Sequence, residues 1–248
     1  GPMMGKMLKT REEIQQAVVT KTTGNLLVLP KNHYLVKRTE VPRESMIHQA
    51  AAACIQCRMC TDMCPRFMLG HEVRPNMVMR NLWKADMLTD DGEFEQAFGS
   101  AVNCCSCGVC EMFACPMGLS PRKMNEYAKT LLRERDINPQ KNRNPEAREE
   151  IQYRKIPTER LIARLGLTEY VSHDMPKEKE LSVTTCRIPL SQHIGKPAMA
   201  AVQVGEIVEK GGLIARAAEG LSVNIHSGLG GIVKEVTDQY ITICGEEV

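Results

Sequence analysis

The sequence has few aromatic residues and almost no net charge. Its 248 residues include one Trp, four Phe and five Tyr, and 32 Lys and Arg nearly balance 30 Asp and Glu. A net charge of +2 does not create the broad basic field that nucleic-acid or anionic-membrane binding usually requires. No apolar run approaches the roughly 18 residues of a membrane span, and the N-terminus lacks the basic-then-apolar layout of a signal peptide. We therefore expect a chain that is not membrane-embedded, is not exported and binds no nucleic acid.

Cysteine is the residue that this sequence has in excess. Nine of its eleven cysteines lie between Cys54 and Cys115, and only Cys186 and Cys244 lie further along the chain. Such clustering does not suit a disulfide framework, whose cysteines are spread through a small, loop-rich fold. In a compartment that keeps thiols reduced, clustered cysteines more often bind metal or catalyse redox chemistry. The composition therefore favours a metal centre.

The first cysteine run has the spacing of a bacterial ferredoxin. Cys54, Cys57, Cys60 and Cys64 are separated by two, two and three residues, and Pro65 follows the last of them. In such a run three thiolates hold one cluster, whereas the fourth cysteine binds the other cluster of a two-cluster ferredoxin. The first run therefore predicts that a second one exists.

The second run meets this expectation with one difference. Cys104, Cys107 and Cys110 repeat the two-residue spacing, but four residues instead of three precede Cys115-Pro116. We expect a connecting loop to absorb the extra residue. A structural zinc site is the alternative, but zinc usually takes two separated pairs of cysteines, which two triplets with a trailing Cys-Pro fit poorly. The spacing favours iron and sulfur.

The predicted ligands cross between the two runs. One [4Fe-4S] cluster is assigned to Cys54, Cys57, Cys60 and Cys115, and the other to Cys104, Cys107, Cys110 and Cys64. Cys105 leaves two alternatives: it is a small buried side chain beside the cluster, or it replaces Cys104 as a ligand. The double two-residue spacing favours Cys104. We expect Cys186 and Cys244 to pack as small hydrophobic side chains.

Helix signals surround both runs. Ser45 is predicted as the N-cap of a helix that delivers Cys54 at its end. A second helix is predicted from Ser120-Pro121, with Pro at its first position. Its apolar face comprises Met124, Tyr127, Ala128, Leu131 and Leu132. Two weaker signals are the strand-like run Leu26–Leu29 and the start of a charged helix at Asn144-Pro145.

The texture changes to short β-like runs from Ser182 onward, including Gly231–Val236 and Tyr240–Cys244. Two of these runs look like imperfect halves of one repeat, as in a barrel-sandwich hybrid. We therefore predict an α+β multidomain protein, in which a helical two-[4Fe-4S] ferredoxin-like domain precedes a small all-β barrel-sandwich hybrid domain. The predicted divisions are a remnant of a preceding domain (1–42), the dicluster domain (43–135), a helical linker (136–181) and the barrel-sandwich domain (182–248).

The sequence resembles the RnfC-like proteins over most of its length. The segments that carry the resemblance are the two cysteine runs, the opening Gly1-Pro2-Met3-Met4-Gly5, the stretch Thr22–Leu29 and the stretch Ile188–Pro197. The β module follows the cysteine runs here, and this order is similar to that of the cobalamin reductases of propanediol-utilising bacterial microcompartments, the PduS type.

This resemblance implies an electron-transfer function. In that family a flavin and nicotinamide domain passes electrons from NADH and FMN through two [4Fe-4S] clusters to a corrinoid, with cobalamin as a transient acceptor. The Gly-rich signature of that domain does not occur in these 248 residues, so we expect FMN and NADH only on a domain outside them. The resemblance further implies an adenosyltransferase and a shell protein as partners, and a place within a microcompartment of the bacterial cytoplasm.

Two other functions stay open on the sequence. One is an RnfC-type electron-transfer subunit of a membrane ion-pumping complex, which would share every predicted ligand. The other is an assembly module, in which the β domain docks a shell or partner protein and the clusters chiefly stabilise the fold.

Overall fold

A computed structural model describes residues 2–141, 144–171 and 182–245. The chain divides into two compact units. The first unit comprises Gly1–Met7 and Leu27–His173, and the second comprises Leu8–Leu26 and Asp174–Val248. The sequence-based domain boundaries stay predictions, and residues 172–181 of the predicted linker lie outside the described residues.

The helices are short and, with one exception, belong to the first unit. In the described parts of the chain they are α1 (Arg11–Gln16), α2 (Tyr34–Arg38), α3 (Arg43–Ala53), α4 (Met59–Asp62), α5 (Pro65–Met68), α6 (Pro75–Asn81), α7 (Asp91–Phe98), α8 (Pro121–Glu134) and α9 (Thr158–Arg164). The helix α1 lies in the second unit. Turns of 3₁₀ helix cover Leu82–Met87, Gly99–Asn103, Glu149–Tyr153 and Thr168–Tyr170.

The helix α8 is the longest of these helices and has the apolar face that its sequence predicts. Pro121 occupies its first turn, where a missing N–H costs nothing. Met124, Ala128 and Leu132 recur every four residues and are all buried. Because residues four apart lie on the same side of a helix, they form one continuous stripe toward the core.

The core of the first unit lies among α3, α6, α7 and α8. Phe94 and Phe98 are fully buried there, and their ring centroids lie 4.7 Å apart. The other buried members are Met46, Ala50, Val78, Met79, Leu82, Ala85, Ala97, Ala101, Cys115, Leu119, Met124, Ala128 and Leu132. Cys115 is part of this core, so the packing of the helices also holds one of the predicted ligands.

Three local predictions are wrong. The helix α3 begins at Arg43 after Pro42, so Ser45 lies inside it and is not its N-cap. The run Leu26–Leu29 forms no strand, and Val28 is 91% exposed, because no neighbouring strand pairs with it. No α-helix begins at Asn144-Pro145. Instead, the Arg148 N–H donates to the Met68 carbonyl at 2.8 Å, which commits this backbone to a tertiary contact rather than to a helical turn.

The second unit is built on two antiparallel sheets. Its strands are β1 (Thr185–Pro189), β2 (Met199–Ala200), β3 (Ile207–Val208), β4 (Leu213–Arg216), β5 (Ile225–His226), β6 (Gly231–Val236) and β7 (Tyr240–Cys244). The strand order is β1-β7-β6-β3 in one sheet and β2-β4-β5 in the other. The bounds of β6 and β7 are those that the sequence predicts, since both are short β-like runs bounded by turn residues.

The core of the second unit is formed mainly by apolar residues of its strands. In β7, Ile241 and Ile243 are buried and alternate with half-buried neighbours, as expected for a strand with one face inward. The other buried members are Leu190, Ala198, Val202, Val208, Ile214, Ala215, Ile225 and Val233. In the ranges that the structure covers, no helix is both long enough and apolar enough to cross a bilayer.

Candidate metal centre

A small pocket collects cysteines from both runs. Cys54, Cys57 and Cys60 line it together with Cys115, which lies far along the chain in the second run. We call these four residues the first cysteine group. Cys60 and Cys115 are buried, whereas Cys57 is exposed. The structure therefore brings together the residues that crossing assigned to one cluster.

The two runs share an unusual backbone conformation. Two residues after the first cysteine, Gln56 and Ser106 both have a φ of 56°. Directly after the second cysteine, Arg58 has a φ of 67° and Gly108 a φ of 84°. Non-glycine residues rarely adopt such values, so their recurrence at matching positions defines one loop that is built twice. Ser106 follows Cys104 as Gln56 follows Cys54.

A π-helical turn accommodates the extra residue of the second run. The turn spans Cys110–Ala114, and the Cys115 N–H donates to the Cys110 carbonyl at 3.0 Å. In the first run the corresponding Cys64 N–H donates to Thr61, only three residues earlier. A single π turn is the usual way in which a helical segment takes up one inserted residue. The inserted residue therefore lies within a hydrogen-bonded turn and not within the loop that the sequence suggested.

The remaining predicted ligands also lie near one another. Cys64 packs beside Cys104, and Cys110 is close enough to interact electrostatically with both thiols. Cys107 interacts in the same way with Cys64. We call Cys64, Cys104, Cys107 and Cys110 the second cysteine group. Cys110 is also within electrostatic reach of Cys60 of the first group, so the two groups adjoin.

Burial keeps several of these thiols protonated in the absence of metal. Desolvation raises the pKa of Cys60 to about 12, and the neighbouring thiols add to the effect. Desolvation likewise raises the pKa of Cys107 to about 11 and that of Cys110 well above its usual range. The pKa of Cys64 is also raised by burial, although backbone N–H groups of Phe67 and Arg66 oppose the shift. Metal binding requires thiolates, so iron must displace these protons.

The donor sets suit iron–sulfur clusters. Each group offers four cysteine sulfurs, which is the usual ligand set of a [4Fe-4S] cluster. The Ser106 N–H already donates to the Cys104 sulfur at 3.3 Å, and such bonds tune cluster potentials. No three His, Cys, Asp or Glu side chains in the described residues converge on a single ion position. A cubane cluster presents separate irons to its four ligands, which therefore surround a volume rather than a point.

Cys105 lies within hydrogen-bonding reach of Cys107 but matches a non-ligand position of the first run. It is exposed, and its counterpart in the first run is Ile55, which is 61% exposed. The matching loops therefore favour Cys104 over Cys105 as the ligand, in agreement with the spacing. Cys186 and Cys244 lie in β1 and β7 of the second unit and are half-buried.

Sequence reasoning missed a buried ion-pair network beside the cysteines. Glu111 follows Cys110 directly, its side chain is 1% exposed, and it accepts a 2.8 Å hydrogen bond from Arg122 Nε. Arg38 lies 3.9 Å from the other carboxylate oxygen. Burial lowers the pKa of Arg122, but the charge of Glu111, its hydrogen bond and the smaller contributions of Glu126 and Cys110 together outweigh burial, so the net pKa is raised. The sequence signal that could have indicated a buried Glu111 is its position as a lone charge directly before the apolar run Met112–Ala114.

Comparison with known proteins defines the class of this chain. Residues 53–120 match the family described as 4Fe-4S dicluster domain. Residues 167–246 match the family described as RnfC barrel sandwich hybrid domain. The predicted fold class is thereby confirmed: an iron–sulfur electron-transfer domain precedes a barrel-sandwich hybrid domain. The chain therefore combines two domain types that the RnfC-like resemblance predicts.

Curated relatives narrow the similarity within this class. The chain is 39% identical over 244 residues to the cobalamin reductase PduS of Salmonella typhimurium strain LT2, covering 98% of this chain and 52% of that protein. It is 38% identical over 245 residues to the cobalamin reductase PduS of Citrobacter freundii, with the same coverage. The resemblance that the sequence suggested is confirmed, and the chain spans about half the length of these relatives.

Proposed function

We propose that this chain transfers electrons through two [4Fe-4S] clusters as part of a cobalamin reductase of propanediol utilisation. The observation that carries the proposal is the pocket in which Cys54, Cys57 and Cys60 meet Cys115 from the other run. Crossed ligation of this kind characterises two-cluster ferredoxins. Similarity to two cobalamin reductases over 98% of the chain supports cobalamin as the electron acceptor.

The residues of the chain would do three things in this function. The eight cysteines of the two groups would hold the clusters, each of which, when bound, accepts and returns one electron. The adjoining positions of Cys60 and Cys110 keep the two groups close, which shortens the path between them. The exposed Cys57, beside the exposed Ile55, makes the first group the point where a redox partner can approach.

The rest of the whole-protein activity follows from the family and is part of the same proposal. NADH and FMN would act on a domain outside these residues, and a corrinoid would receive the electrons. An adenosyltransferase and a microcompartment shell protein would be the partners, in the bacterial cytoplasm. We do not favour the RnfC-type ion-pump subunit, because both curated relatives are cobalamin reductases.

Spin counting tests the cluster part of the proposal. The chain is reconstituted anaerobically, reduced with dithionite and examined by low-temperature EPR together with iron and sulfide analysis. We expect about eight irons and about two spins per chain, with signals broadened by mutual coupling. Cys57→Ser should lose about half of the spins, whereas the control Cys186→Ser should keep them. One spin or bound zinc in the unsubstituted chain would refute two-cluster binding.

Electron delivery tests the acceptor. The reduced chain is freed of dithionite by desalting and mixed with cob(III)alamin, and absorbance reports corrinoid reduction. The unsubstituted chain and Cys186→Ser should reduce cob(III)alamin, whereas Cys57→Ser should reduce it more slowly. If a chain with two reducible clusters leaves cobalamin oxidised, the cobalamin assignment fails. An assembly role would then be tested by deleting residues 182–248 and measuring partner binding and cluster reduction separately.

A further inference from the structure

The buried carboxylate of Glu111 lies on one of the two turns that, in the described sequence, join the two cysteine groups directly; the other turn is Cys60–Cys64. The π turn Cys110–Ala114 begins at a member of the second group, and Cys115 of the first group follows it. Glu111 is the second residue of this turn. Contacts of its side chain therefore restrain a segment that has one predicted ligand of each cluster at its ends.

Two arginines hold Glu111 from different parts of the first unit. Arg122, in the first turn of α8, directs Nε and Nη2 to the same oxygen, Oε1, at 2.8 Å each. Arg38, at the end of α2, lies 3.9 Å from Oε2. Arg38 also donates to the carbonyls of Gly118 and Leu119, at 2.9 and 2.7 Å. It thus ties the turn to the backbone that leaves Cys115.

Stability alone is a poor reason for this network. Burying three charges carries a desolvation cost that apolar side chains of similar size would avoid. Glu111 Oε2 receives no hydrogen bond from the described residues, so the network is not fully satisfied. Side-chain exposure is 1% for Glu111, 11% for Arg38 and 15% for Arg122, so solvent screens these charges little.

We propose that Glu111 is a positioning residue that also sets the reduction potential of the cluster bound by the second cysteine group. Its arginine-held carboxylate would fix the π turn between Cys110 and Cys115. Its negative charge would oppose the uptake of an electron next to Cys110, because like charges repel most strongly where solvent is excluded. This inference rests on the proposed two-cluster function.

The test compares two carboxylates that share one arginine. Glu126 lies 3.6 Å from Arg122 Nη1 and is 34% exposed, so Glu126→Gln removes the same charge from a solvated position. EPR-monitored redox titration of the reconstituted chain gives the potential of each cluster. We expect Glu111→Gln to raise one of the two potentials clearly more than the other. Glu126→Gln should shift both less, because water screens its charge.

A second variant, which removes a positive charge instead of a negative one, keeps the test decisive if Glu111→Gln does not assemble its clusters. Arg122→Gln removes a positive charge from the same network and should lower the same potential. A purely structural role would not reverse the direction of the shift. The inference is overturned if Glu111→Gln behaves like Glu126→Gln, or if Arg122→Gln leaves the potential unchanged or raises it. Failure of the unsubstituted chain to bind two clusters would instead refute the proposed function.

Discussion

Gln56 and Ser106 have the same left-handed backbone conformation, each with a φ of 56°, two residues after the first cysteine of its run. Neither residue is glycine, and such a conformation costs a non-glycine residue about 1–2 kcal/mol. The repetition of this cost at matching positions indicates that the loop geometry serves the cysteines. It also makes Cys104 the counterpart of Cys54, so that Cys105 matches Ile55 in the repeated loop.

The first prediction concerns the two adjacent cysteines. Cys104→Ser should lose the cluster of the second group, because the repeated loop presents Cys104 in the ligand position. Cys105→Ser should retain both clusters, since its exposed side chain occupies the place of Ile55. Iron content and spin count after reconstitution measure the difference. Loss of a cluster in Cys105→Ser with retention in Cys104→Ser would reverse the ligand assignment.

The second prediction concerns the left-handed loop. Ser106→Val should destabilise the folded chain by about 1–3 kcal/mol, because a β-branched residue tolerates positive φ poorly. Ser106→Gly should be tolerated, since glycine adopts positive φ readily and the backbone N–H donor to Cys104 is kept. Chemical denaturation of the anaerobic protein gives the free energies of unfolding. The control Ser45→Val, on an exposed helical position, should cost less than about 0.5 kcal/mol.

The third prediction concerns pH. Burial raises the pKa of the Cys60 thiol from 9.0 to about 12. Well below pH 9 the thiol is protonated in both the folded and the unfolded iron-free chain, so its ionisation does not make the free energy of unfolding depend on pH. Between these two values the unfolded chain loses the proton first, so rising pH favours unfolding by up to about 1.4 kcal/mol per pH unit from this group.

Urea unfolding of the iron-free chain at several alkaline pH values measures this dependence. Cys60→Ser should flatten the decline in stability above pH 9, whereas Cys186→Ser should leave it unchanged. An equal decline in Cys60→Ser and in the unsubstituted chain would contradict the role of this thiol.

The fourth prediction concerns the core that supports the site. Phe98→Ala should lower the free energy of unfolding by about 3–5 kcal/mol, because it opens a cavity beside Phe94 in a fully buried position. Trp83→Ala should lower it clearly less, since Trp83 is 55% exposed and buries less apolar area. Denaturation of the reconstituted protein measures both. Similar losses in the two variants would mean that Phe98 does not anchor this core.

Sequence spacing determined a large part of the candidate site. The two-residue intervals within each triplet, and the Cys-Pro that follows, predicted both the kind of cofactor and the crossing of ligands. Periodicity determined α8 and the strands β6 and β7, because each has an apolar pattern that its own residues repeat locally. These features depend on interactions over a few residues, and a single sequence contains that information.

Tertiary structure decided the features that depend on distant partners. The run Leu26–Leu29 has the composition of a strand but lacks a neighbour to pair with, and Arg148 bonds to Met68 instead of beginning a helix. The π turn that absorbs the inserted residue, and the burial of Glu111 between Arg38 and Arg122, also became visible only in the folded chain. Burial and charge pairing are set by how remote segments meet, and local spacing does not encode that.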